Sequence, residues 1–138
     1  MIDLTAANHT GRELSLMLDG AKPLAMFYAE VSELPEEDFI PENAFRPYVT
    51  TGQFVRGEFI LDNGYAESIG RNALIKYVLF AHYAEAWRIP AMRLLKESFI
   101  KAQCQWNEAL ERIEGTLLGY TDEEVTAWIN HQALWKRA

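Results

Sequence analysis

The stretch from Pro90 to Gly119 constrains this chain more than any other. Apolar residues recur at Met92, Leu95, Phe99, Ala102, Trp106, Ala109, Ile113 and Leu117, in steps of three and four, which is one face of a helix. Pro90 suits the first turn, where a missing N–H leaves no bond unmade, and Gly119 suits the position just past the end. The spacing predicts one long helix near 90–118, roughly 42 Å long at 1.5 Å per residue. That is about as long as a small domain is wide, so the other elements have to be arranged along it.

Those elements come mostly before it. Thr10 and Glu13 have capping-box spacing, and the apolar run after them, stopped by Gly20, predicts a short helix over 11–19. Leu24 to Val31 reads as a strand with at least one buried face. Residues 32–44 carry two prolines and a cluster of acids, and read as an acidic loop inside one domain spanning 1–138, with Phe39-Ile40 docking back as an anchor. Pro47 and Thr51-Gly52 suggest a hairpin of Tyr48–Thr50 and Gln53–Leu61. In its second arm Val55, Gly57, Phe59 and Leu61 share one face, and Gly57 marks a bulge or a close approach.

Ser68 to Arg88, nearly all apolar from Ala73 to Ala84, reads as a centrally buried helix. A second capping box, Thr121 to Glu124, opens a last helix with Val125, Trp128 and Ile129 inward. The expected fold is α+β: a small antiparallel sheet of about three strands packed against a helical layer.

Charge narrows the function. The net charge is −7, and residues 1–42 hold all of it, with nine acidic side chains against two basic ones. Such a field repels nucleic acid and anionic membranes and attracts basic partners. No apolar run approaches the ~20 residues of a membrane span. The first residues lack the basic start and apolar centre of a secretion signal, so a cytoplasmic protein of bacterial style is expected. The single cysteine, Cys104, allows neither an internal disulfide nor a cysteine-built zinc site, and reads as a small filler.

Catalytic patterns are sparse. There is no Gly-x-Ser-x-Gly, and Gly64 to Gly70 lacks the lysine of a phosphate loop. His82 and Glu85, one turn apart on a helix 68–88, would project near Arg71. Together, with Arg56 nearby, they could run acid–base chemistry in a pocket between sheet and helix; the plainer reading is a buried polar network. No metal or cofactor is expected, since His9 and His131 stand near opposite ends of the chain.

The reading the sequence favours is a non-catalytic protein that docks on a basic partner protein and inhibits or chaperones it. Its contact residues would be Glu33, Glu36, Glu37, Asp38 and Phe39, because aromatics supply contact area while charge steers encounter. An uncovered stripe on the long helix would also let two copies pair. Size, acidity and the lack of a catalytic signature are shared with bacterial immunity proteins, antitoxins and secretion chaperones. That is a likeness of type, carried by no motif.

Overall fold

The computed structural model describes residues 9–31, 39–62, 74–102 and 105–137. The elements are α1 (Glu13–Leu18), β1 (Leu24–Glu30), α2 (Glu42–Thr50), β2 (Phe54–Asp62), β3 (Leu74–His82), a 3-10 turn (Tyr83–Glu85), α3 (Arg88–Lys101), α4 (Glu108–Leu118) and α5 (Asp122–Arg137). The fold is α+β, with a three-stranded antiparallel sheet and five α-helices among the described residues.

The sheet order is β1-β3-β2, so the last strand in sequence is central. Leu24 pairs with Ala81 and Glu30 with Ile75 on one side; Phe54 pairs with His82 and Asp62 with Leu74 on the other. Both faces of β3 are covered. Val78 and Phe80 point into one core with Met17, Ile40, Phe45 and Phe54, under α1 and α2. Leu79 and Ala81 point into a second core with Leu24, Phe59, Met92, Leu95 and Leu117, under α3 and α4. The sheet therefore lies between two helical layers rather than against one.

Three expectations are corrected here. The helix expected over 68–88 is instead β3 and the 3-10 turn from Leu74 onward; its residues 68–73 lie outside the described ones. Central burial is observed, but a run apolar on every side suits a doubly covered strand as well as a buried helix. The β-branched and aromatic residues Ile75, Tyr77, Val78 and Phe80 favour the strand.

The first arm of the expected hairpin, Tyr48–Thr50, is the end of α2. Pro47 lies inside this helix, and Gly52, at φ +81°, follows its end. Proline usually disrupts a helix interior. Here Phe45, Tyr48 and Val49 pack against the sheet and hold the helix in place.

The single helix expected near 90–118 is two. α3 ends at Lys101, and α4 begins after Asn107, whose backbone is extended and whose side chain accepts from Leu110 N at 3.1 Å. The helices fold back as a pair. Lys96 bonds to Glu114, and Arg88 donates to the carbonyls of Thr116 and Leu117 at 3.0 and 3.1 Å. The stripe divides accordingly. Met92, Leu95 and Leu117 are core, while Trp106 and Ile113 are 44% and 49% exposed. The stripe is therefore not one continuous surface.

Other readings hold. The Thr121 box is reciprocal: Glu124 N donates to Thr121 Oγ1 at 3.1 Å, and Thr121 N to Glu124 Oε1 at 2.8 Å. The first helix starts later than the Thr10 spacing suggests: Arg12 stands at the N-cap of α1 with no side-chain cap hydrogen bond, and Glu13 accepts from Gly11 N at 3.1 Å. Gly57 marks a close approach: a Cβ there would lie 2.6 Å from Ile89 Cγ2.

Gly115 plays the same part where α4 meets α5, since a Cβ there would lie 2.5 Å from Val125 Cγ2. Val125 is buried and β-branched, so it cannot swing aside. Gly115→Ala is expected to lower stability by about 1 kcal/mol or more in denaturant melts, overpacking outweighing the better helix propensity of alanine. The double variant with Val125→Ala should recover part of that loss. A single variant as stable as wild type would show that the crossing has room.

Candidate functional site

The first core opens to solvent on one side. Phe27 comes from the α2-facing side of β1, Leu14 from α1, and Phe45 from the first turn of α2. Phe27 and Phe45 meet edge to face, with centroids 5.6 Å apart. Between β1 and α2 the chain returns through Phe39, Ile40 and Pro41. Ile40 is buried as the anchor, while Phe39 turns outward and is 56% exposed. Among the described residues Leu14, Phe27, Phe39, Pro41 and Phe45 line an open cleft of about 450 Å³, with Thr10, Gly11 and Glu13 also on its wall. An apolar floor with a carboxylate at the rim suits an apolar side chain carried next to a cation.

Of the contact residues expected from sequence, Phe39 stands at this rim. Glu33, Glu36, Glu37 and Asp38 lie outside the described residues, in the segment that ends at Phe39. Glu42, on the far side of Phe39, is engaged within the fold. Arg56 donates to it twice at 2.7 Å and reaches Glu58 at 2.9 Å; Lys76 lies 3.6 Å from Glu58. The Arg56 hydrogen bonds hold the Glu42 carboxyl below its usual range, and the same bonds push the guanidinium pKa up. Arg56 is thus already matched by carboxylates.

Of the alternative triad, His82 and Glu85 are described, and each has a hydrogen-bond partner of its own. His82 ends β3, and its Nδ1 accepts from Ala84 N at 3.2 Å. Glu85 turns to Arg88 Nε at 2.9 Å and Trp87 Nε1 at 3.0 Å; the Arg88 bond is the main cause of its lowered pKa. Arg71 lies outside the described residues. The pocket expected between sheet and helix 68–88 loses a wall because β3 is a strand. Among the described residues no three His, Cys, Asp or Glu side chains group as metal ligands. Cys104 and Gly64–Gly70 lie outside them.

A second polar centre, not anticipated from sequence, lies beside the cleft. Lys22 is only 3% exposed, and its Nζ donates to Leu118 O at 2.6 Å and meets His9 Nδ1 at 2.9 Å. The His9 ring stacks on Tyr120 at 3.7 Å and 7°, and His9 N donates to Tyr120 Oη at 3.2 Å. Burial lowers the Lys22 pKa to about 8, against the pull of Glu13 and Glu124. Burial, and then the neighbouring Lys22 charge, lowers that of His9 to about 4. Burial also raises the Tyr120 hydroxyl. A lysine between an alanine and a proline carries no sequence signal of burial.

A smaller groove of about 150 Å³ runs between α3 and α4, with Phe99 and Trp106 as its aromatic walls. Among the described residues no helix is long and apolar enough to cross a membrane. Compared with models of protein families, with curated proteins and with solved structures, the chain matches none.

Proposed function

We propose that this chain is a docking protein whose cleft receives an apolar side chain from a basic segment of a partner protein. The observation that carries the reading is Phe39: a large aromatic held outward over an aromatic-floored cleft, directly after the most acidic segment of the chain. Aromatic anchors supply most of the energy of such contacts, and like-signed fields around them set association rates and exclude wrong partners. Glu13 at the rim and the acids of residues 33–38 would face the cations of the partner. Inhibition or chaperoning of that partner follows if the segment it presents is functional or unfolded.

Affinity capture from lysate at low and high salt tests this with two variants. Phe39→Ala should weaken capture of a basic protein about 30-fold, as expected for an anchor worth roughly 2 kcal/mol. Neutralising Glu36, Glu37 and Asp38 together should slow association and flatten its salt dependence, with little change in melting temperature. Capture that both variants leave untouched would rule the cleft out as the docking site.

A further inference from the structure

The buried group of His9, Lys22 and Tyr120 sits where it controls one wall of the cleft. Thr10 and Gly11, which line that wall, directly follow His9 in the chain. The run is short and tied at its start. Arg12 N donates to His9 O at 2.8 Å, His9 N to Tyr120 Oη, and the His9 ring lies flat on the Tyr120 ring. Gly11, at φ +82°, makes the turn between them. His9 is therefore a point at which this wall is fastened to the segment joining α4 and α5.

The fastening has a chemical condition. A protonated lysine can only donate, so His9 Nδ1 must carry a lone pair to meet Lys22 Nζ at 2.9 Å. A proton at Nδ1 would remove the acceptor and set two cations in hydrogen-bond contact. Lys22 cannot withdraw, because it also holds Leu118 O and is enclosed by the Tyr120 ring, 5.2 Å from its Nζ. The other charges facing His9 are Arg12, which also opposes its protonation, and Glu124, which favours it; Glu13 acts on Lys22 and Tyr120. Lys22 is the fixed member of the group, because it leads directly into β1, so the strain of a second cation falls on His9.

We infer that His9, Lys22 and Tyr120 form an acid-sensitive latch, in which protonation of His9 releases residues 9–12 and removes one wall of the docking cleft. The low pKa of His9 agrees with this, placing release well below neutral pH. The functional consequence rests on the docking reading: partner binding weakens as the latch opens. The latch itself belongs to the isolated protein, so it can fail while docking stands, and docking can fail while it stands.

NMR on the full chain tests it. The His9 ring protons should titrate with a midpoint near pH 4. Between pH 7 and that midpoint, hydrogen-exchange protection factors at the His9 and Arg12 amides should fall by about tenfold or more, while those of β3 stay constant. Two variants should move the midpoint in opposite directions. Lys22→Met should raise it by about one unit or more, removing the repelling charge, and Glu124→Gln should lower it while keeping the oxygen that caps α5. Glu124→Gln leaves the buried group intact, so the test survives if Lys22→Met does not fold. A His9 midpoint near the ordinary value, unchanged protection at His9 and Arg12, or loss of protection only together with β3 would each overturn the latch.

Discussion

Phe45→Ala is expected to lower the free energy of unfolding by about 3–5 kcal/mol, the usual range for a large aromatic removed from a core. Phe45 is fully buried, stacked on Phe80 at 4.2 Å and 12°, with Phe27 and Phe54 at 5.6 and 6.1 Å. It is also the residue through which α2 grips the sheet. Its neighbours are held by strand pairing and cannot collapse into the space, so the cavity remains. A chain of this size has roughly 5–15 kcal/mol in total, so the variant should melt far below wild type in denaturant. A loss under ~1 kcal/mol would mean that α2 is not held by this ring.

The second large effect is a rise of stability with pH that belongs to Lys22. Its pKa is about 8 in the folded protein and 10.5 when unfolded. Between those values the unfolded chain binds the extra proton, so the free energy of unfolding increases with pH. The burial penalty is fully present below about pH 8 and gone above 10.5; the shift corresponds to about 3 kcal/mol. Tyr120 works in the opposite sense above pH 10, because its raised pKa makes the unfolded hydroxyl ionise first. The clean window is therefore pH 7.5 to 9.5, across which wild type should gain about 2 kcal/mol in urea melts relative to Lys22→Met. Parallel pH profiles for the two proteins would show that the ammonium is solvated.

What could be read from the sequence was what depends on neighbouring residues. The Thr121 cap, the stop at Gly119, β1, β2 and the tight approach at Gly57 follow from local chemistry, and the α+β class follows from their order. What failed depends on covering. The apolar run of β3 has no period because both its faces are buried, so pattern alone cannot separate strand from helix there. Pro47 sits in a helix because Phe45, Tyr48 and Val49 have a sheet to pack on. The break before α4 did leave a sign. Asn107 followed by Glu108 and Glu111 is a helix start, hidden inside a stripe whose spacing ran straight across it.

At the candidate site, Phe39 was legible as an aromatic next to acids. The cleft was not, because its walls come from α1, β1 and α2 and meet only in three dimensions. Lys22 was the least legible residue of all. Nothing in its sequence surroundings reports that α4 ends above it.

The sheet order carries a consequence for the order of folding. Strands β1 and β2 never touch; each bonds only to β3, which follows both of them in the chain. Until Leu74 to His82 has been synthesised, both earlier strands lack their hydrogen-bond partner and each core lacks its central wall. The nascent chain therefore carries exposed strand edges and apolar faces through more than half its length, the condition under which unfinished chains aggregate or recruit chaperones. Arrival of β3 closes both ladders and the first core at once, while the second core waits for Met92, Leu95 and Leu117 of α3 and α4, so the fold is completed late and in two steps.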